Sequence, residues 1–356
     1  MPVKGYILMI KKSSKVLEPI TSILLAFLVG SLVIVLIGED PLSTFRVMFS
    51  GAFGSSVNIS NTLVKTTTLT LSGLSYAFAF RCGLINIGAE GQMYIGALSA
   101  SVVVLFMPGP GFLVVILALL AGFLGGAIWG LLVGVLKVRF GANEVITTVM
   151  LNYAAQYLIQ WAVCGPIQDP NSNAAQTVMF KDTYWVHYIL PGTKLHTGFL
   201  LMILSLVFFG IFLWKTAPGF GMQIVGQNNQ AAAYAGISVQ KNTLMAMFMA
   251  GGFAGLAGAI EVLGVQHRLL KGMASNFGFD GIAVALLGAN HPVGMFLSGI
   301  LLGAMKSGGN AVQMFTRVPS SVVDLIRALV IVFVLINVLS KVLLQVKKEK
   351  GATIHG

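Results

Sequence analysis

Glu144, Thr148, Asn152, Gln156 and Gln160 recur every fourth residue through "ANEVITTVMLNYAAQYLIQW". On an α-helix this spacing sets them along one slanted row. Long apolar runs flank the stretch, and a polar row turned to hydrocarbon is costly, so the row must face protein or water. Side-chain amides and a hydroxyl suit two tasks there: hydrogen bonding to a neighbouring helix, or lining a path for a neutral polar solute. The spacing alone leaves both open. Tyr153, Tyr157 and Trp161 lie beside the row. Their flat faces would suit a ring-shaped solute, but aromatic residues near the end of a span also serve as interfacial anchors. Asn143 and Glu144 read equally as the cap and first turn of the helix, where an acceptor and a negative charge are favoured.

Ionisable residues elsewhere in apolar surroundings are few. Glu90 sits in "GLINIGAEGQMYIGA", with Asn86 and Tyr94 one turn away on either side, and Glu261, Lys65 and Lys306 fall in or beside other apolar runs. Such groups mark either function or structural pairing. Asp324 and Arg327, three residues apart, are placed to neutralise each other and read as structure. Glu90 stays open between the two. His187, His196, His267, His291 and His355 fall in predicted loops or the tail and form no HExxH pair, and neither a P-loop nor a G-x-S-x-G elbow occurs. Cys82 and Cys164 lie in or beside apolar runs and suggest neither a disulfide framework nor a metal knuckle. No catalytic or metal-binding residue is expected.

The elements that must hold these residues follow from composition. The chain has 356 residues, 56% hydrophobic and only 9% charged, with mean hydropathy +0.88. A soluble domain needs far more charge than that, whereas a bilayer calls for helices of ~20 apolar residues. The expectation is an all-α polytopic membrane protein with about ten spans, near 19–38, 62–80, 84–106, 112–136, 144–165, 198–214, 243–265, 278–290, 293–309 and 321–341. The eighth and ninth are short and broken by "GANHPVG", as a tight hairpin or a re-entrant pair would be. The first run lacks a small-residue cleavage site after it and reads as an uncleaved signal anchor.

An even span count puts both termini on one side. With that side cytoplasmic, Lys4, Lys11, Lys12, Lys15, Arg81, Lys137, Arg139, Lys215, Lys241, Lys341, Lys347, Lys348 and Lys350 are internal, against Arg46, Lys181, Lys194, Arg268, Lys271 and Arg317 outside. The positive-inside rule favours this orientation, and it accounts for the net charge of +11 without nucleic acid. The divisions are then a cytoplasmic tail 1–17, a membrane domain 18–342 and a cytoplasmic tail 343–356. The domain carries a long external loop at 166–197 and a long internal loop at 215–242. Gly122, Gly126, Gly130 and Gly134 in span four, and Gly251, Gly255 and Ala259 in span seven, keep small residues four apart, which lets helix backbones approach closely.

The internal loop holds "GQNNQAAAYAGISVQKN". Asn228 or Asn229 can cap a helix running to about Ala235, with Gly236 as its stop. Two turns are marginal alone in water, so something must hold them. A helix lying on the membrane surface would carry bulky apolar residues and cations. This one instead offers the low relief of Ala231, Ala232, Ala233 and Ala235, and a protein docking site is the better reading.

"FRCGLINIGAEGQMYIGA", "GANEVITTVMLNYAAQ", "VGQNNQAAAYAGISV" and "FDGIAVALLGANHPVGM" resemble signature blocks of ABC-transporter permeases in the branched-chain amino acid and ribose group. More narrowly they are similar to the larger permease of bacterial nucleoside importers that work with basic-membrane-protein-type lipoprotein receptors. The blocks run from about Phe80 to Met295. In that family the loop before the seventh span carries the coupling helix that docks on the ATPase subunit, and Gln227 to Ile237 match it. The resemblance therefore implies that Gln227, Asn228, Asn229, Ala231, Ala232, Ala233 and Gly236 form the coupling contact. "NNQAAAYAGI" lacks the acidic residue of the EAA motif found in more distant importers.

The resemblance also implies a bacterial cytoplasmic-membrane location, a second permease as partner, ABC ATPase subunits that bind ATP and magnesium, and an extracellular lipoprotein receptor. No cofactor is expected in this chain. The cargo implied is a nucleoside, with a ribose-type sugar or a branched-chain amino acid as alternatives. For the pathway the residues expected are Asn152, Gln156, Tyr153, Glu90 and Thr148. A proton-coupled secondary transporter using Glu90 or Glu261, and a scaffolding membrane protein, are the rivals of a different class.

Overall fold

The computed structural model describes residues 21, 24–319 and 321–333. Among them no strand forms, only two isolated bridges. Two units are distinguished: Ile59–Ala304, and the residues through Asn58 with those from Met305 onward.

In the smaller unit, α1 (Leu24–Leu36) turns by 120° into α2 (Pro41–Phe53). The second helix stands where an irregular external loop was expected. Asp40 caps it, its carboxylate accepting from the amides of Leu42 and Ser43 at 3.1 and 2.9 Å, and Pro41 suits the first helical position. These start signals were readable in "EDPLS"; hydropathy alone passes over them. Arg327 and Asp324 pair at 2.8 Å on the helix formed by 321–333, α13, as their spacing suggests. The first and last expected spans lie partly outside the described residues.

The larger unit is built on α3 (Ser56–Arg81), α4 (Ala89–Phe106), α5 (Gly111–Phe140) and α10 (Val239–Glu261). Here the glycine spacing acts as expected. A methyl group on Gly255 would overlap the carbonyl of Gly122, and one on Gly126 would overlap that of Gly251. Phe78 and Phe253 stack beside this seam with ring centroids 5.2 Å apart. Further along lie α6 (Glu144–Val163), α7 (Gly198–Lys215), α8 (Ala217–Gln227), α9 (Asn229–Tyr234), α11 (Phe277–Leu287) and α12 (Pro292–Phe315).

Four segments are long and apolar enough to cross a membrane: Ala89–Phe106, Gly111–Phe140, Gly198–Lys215 and Val239–Gln266, or five if the bent α1–α2 pair counts as one. The chain is thus a helical bundle with membrane-crossing helices. The α3 helix is more polar because Thr66, Thr67, Thr68, Thr70, Ser72 and Ser75 are buried in it, and a helix packed against protein need not be apolar all round. The 11 residues of α11 span about 16 Å, half of a hydrocarbon core of ~30 Å. It turns into α12 through Ala289 and Asn290, both left-handed at φ 52 and 50.

The loop 166–197 is latched to the segment after α10. Phe180 N donates to His267 O at 2.8 Å, Thr177 N to Leu269 O at 3.0 Å and Lys271 N to Ala175 O at 3.1 Å. The latch forms where α10 widens into a π-turn over Val262–Gln266 and ends at His267, itself left-handed at φ 55.

Candidate functional site

The expected loop 215–242 contains two helices, and α8 was not foreseen because "APGFGMQIVGQ" carries a proline and three glycines. Thr216 starts it, its hydroxyl accepting from Gly219 N at 3.2 Å. The α9 helix begins at the cap Asn228, whose side-chain Oδ1 accepts from Gln230 N and Ala231 N at 2.9 and 3.0 Å. It ends at Gly236, with φ 75, where Gly236 N and Ile237 N donate to the carbonyls of Ala233 and Ala232. This double closure is what the alanine run and trailing glycine predict.

The alanines do not all face one way. Ala232 is fully buried and anchors the helix, while Gln227, Asn228, Asn229, Ala231, Ala233 and Gly236 are exposed. Tyr234, which sequence reasoning passed over, is 94% exposed. An aromatic ring so fully offered on a short, well-capped helix is the kind of residue that anchors interfaces.

The polar row of α6 divides in two. Glu144 pairs with Lys137 of α5 at 2.6 Å, and buried Thr148 donates back to Glu144 O at 2.7 Å. Asn152 is 5% exposed. Its Nδ2 donates to Ile87 O at 3.0 Å and its Oδ1 accepts from Gly91 N at 2.8 Å. The residue before α4 is Gly88, with no side-chain cap of its own, so Asn152 satisfies from α6 one of the free amides at the start of α4. Gln156 and Gln160 are half-buried, and Tyr153, Tyr157 and Trp161 are exposed on the same helix. The first half of the row is interhelical, and its second half lies half-buried beside the exposed aromatic residues.

Glu90 lies buried in the first turn of α4, with Gly278 of α11 against its backbone. Asn86 is not one turn of helix away, because Leu84 to Gly88 form a non-helical connector. Its amide is engaged instead in a buried knot, donating to Ser75 Oγ and Gln92 Oε1 at 2.9 Å each and accepting from Gly88 N at 3.0 Å. Side-chain bonds of this kind compete with helix formation, which explains why the expected span start at 84 became a helix start at Ala89. Glu261 accepts from Thr68 Oγ1 at 2.8 Å.

In the latch, Trp185 stacks on His267 with centroids 3.8 Å apart, and Tyr188 Oη lies 2.9 Å from His267 Nε2. His196 is 1% exposed, and neither ring nitrogen is hydrogen-bonded within the described residues. Burial, with the neighbouring His267 adding to it, pushes its pKa down to about 4. Burial lowers that of His267 as well. Among the described residues no group of three or more His, Cys, Asp or Glu side chains could hold a metal.

A bundle of long apolar helices that presents a small capped helix on an internal loop is a build that suits a transport permease. The chain belongs to the family described as branched-chain amino acid transport system / permease component, whose model matches residues 58–335. It is 36% identical over 348 residues to the guanosine ABC transporter permease protein NupP of Bacillus subtilis, covering 97% of this chain and 100% of that one. Identity is 32% to the nucleoside ABC transporter permease protein NupB of Lactococcus lactis, over 96% of both chains. It is also 32% to the glucose ABC transporter permease protein TsgB13 of Haloferax volcanii, over 89% of this chain and 86% of the other. Each of the first two organisms holds a further matching permease protein, NupQ and NupC. No solved structure matches the chain. The chain is accordingly a transport component and not an enzyme.

Proposed function

We propose that this chain is one permease subunit of an ATP-driven nucleoside importer in the bacterial cytoplasmic membrane. The observation that carries the reading is full-length similarity to a guanosine permease at 36% identity. It would work beside a second, related permease, a pairing suggested by NupP with NupQ and NupB with NupC. ABC ATPase subunits would bind ATP and magnesium, and a lipoprotein receptor would deliver solute at loop 166–197. About ten spans within 18–342, with α11 and α12 as the hairpin or re-entrant pair, and cytoplasmic tails at 1–17 and 343–356, outside the described residues, complete the assignment, in keeping with the cation asymmetry.

The exposed face of α9, with Gln227, Asn228, Asn229, Ala231, Ala233 and Gly236 around Tyr234, takes the ATPase contact, with Ala232 as its buried anchor. ATP binding draws the ATPases together, α9 moves with them, and the bundle changes which side its pathway faces. Gln156 and Tyr153 would line the path or meet the partner permease, with Asn152, Thr148 and Glu90 in the wall behind them, a reading supported by the exposure of Tyr153 and the burial of Asn152, Thr148 and Glu90. A neutral, hydrogen-bonding ring suits amides and aromatic faces better than fixed charge. A sugar is the second reading, favoured by the similarity to a glucose permease.

Uptake of labelled guanosine into vesicles holding the assembled complex and internal ATP tests this. Competition by unlabelled nucleosides, and not by glucose, ribose or leucine, is expected. Competition by a sugar alone would move the cargo to the second reading. Flux that needs a proton gradient at constant ATP would bring forward the secondary-transport rival, with Glu90 or Glu261 as the proton carrier.

A further inference from the structure

Three observations converge on the end of α3. First, Gly226, two residues before the cap of α9, lies backbone to backbone against it. A methyl group on Gly226 would overlap Arg81 O and come 3.0 Å from Gly83 N, and one on Gly83 would sit 3.2 Å from Gly226 Cα. Gly83 is also left-handed at φ 76, a conformation that side chains rarely tolerate. Second, Arg81 Nη2 donates to Asn290 O at 2.8 Å, in the left-handed turn between α11 and α12. Third, the Arg81 guanidinium stands 5.5 Å from the ring centroid of Trp214, which in turn lies 5.4 Å from His291. Trp214 sits at the end of α7, directly before α8.

The loop that carries α9 packs on α7 and α10 through Gly219 and Gly221, and at Arg81 and Gly83 it also meets the end of α3 and the connector that leads to α4. Beyond Gly83, the connector leads within a few residues to the Asn86 knot and to Ile87 and Gly91, both held by Asn152. Contacts between backbones leave no side chain to yield, so a displacement at Gly226 is passed on and not absorbed. The guanidinium's planar fork, resting on an aromatic face while donating to a carbonyl, is a geometry that lysine reproduces poorly.

We propose that Arg81, with the Gly83–Gly226 contact, is the positioning residue that conveys movement of α9 to the α4 connector and to the α11–α12 turn. The proposal rests on the reading of α9 as the coupling helix. It assigns Arg81 no contact with the solute or the ATPase.

The test uses the complete complex in vesicles and reads solute transported per ATP hydrolysed. Arg81→Met and Gly226→Ala are expected to assemble, to keep ATP turnover within about twofold, and to lose transport per ATP by tenfold or more. Arg81→Lys should fall between them and the unchanged protein. Transport per ATP that stays unchanged in both Arg81→Met and Gly226→Ala overturns the proposal. So does failure of all three variants to assemble, which would leave Arg81 a purely structural clamp. A photo-crosslinking residue in place of Tyr234 separates the two levels of inference. If it captures the ATPase while the ratio is unchanged, only the Arg81 proposal fails; if it captures none, the reading of α9 fails first.

Discussion

Replacing Asn152 by leucine removes a polar group that two backbone groups depend on. Leucine keeps the branched outline but is bulkier, so some packing strain adds to the main effect, in which Gly91 N loses its acceptor and Ile87 O its donor. A buried peptide group left without a partner costs about 1–3 kcal/mol; this applies to Gly91 N, while Ile87 O is only part-buried, so Asn152→Leu should destabilise the junction of α4 and α6 by roughly 1–3 kcal/mol. Loss is expected to be local, because Gly88 provides no side-chain cap and the first turn of α4 has nothing to replace Asn152. Hydrogen exchange over residues 88–93, read by mass spectrometry in detergent, should accelerate at least tenfold, and the thermal midpoint should fall. Gln160→Leu, at a half-buried position further along the row, should change stability by no more than about 0.5 kcal/mol. Uptake by Asn152→Leu should drop with the complex still assembled. If exchange at 88–93 and the midpoint both match the unchanged protein, the pinning argument is refuted. Reduced uptake would then place Asn152 in contact with solute.

Tyr234→Ala should weaken ATPase binding by about 2 kcal/mol or more, about 30-fold in Kd, measurable by titration of the detergent-solubilised complex. Ala233→Glu should act in the same assay, whereas Ala232→Glu, at a buried position, should unfold the loop and lower the yield of folded permease. Stability should fall as pH drops below the ordinary histidine range. His196 is neutral in the folded latch with its pKa near 4, whereas the unfolded chain takes up a proton near 6.5. The folded state therefore loses about 2 kcal/mol between pH 7 and pH 5, and His196→Leu should flatten that slope in thermal unfolding. Gly255→Ala places a methyl group on the carbonyl of Gly122. It should cost about 1–3 kcal/mol, lowering the thermal midpoint where an alanine on a lipid-facing position would not.

Residue order along the chain was sufficient for much that is local or periodic, though not for the α2 and α8 helices. The apolar runs, the glycine spacing of α5 and α10, the Asn228 cap and the Gly236 stop of α9, and the Asp324–Arg327 pair each follow from neighbours within a turn or two. The family could be recognised from contiguous blocks for the same reason. Tertiary structure decided what depends on residues far apart. Spacing could not choose between glue and pathway for Asn152, because its partners Ile87 and Gly91 lie far off in the chain, in the connector before α4 and in the first turn of α4. The connector before α4 is non-helical because Ser75, from α3, completes the knot with Asn86 and Gln92. Which alanine of α9 is buried, and that Arg81 gathers Asn290 and Trp214, likewise depend on how helices pack. A one-dimensional pattern records which face of a helix is polar; what that face meets is set only when the other helices arrive.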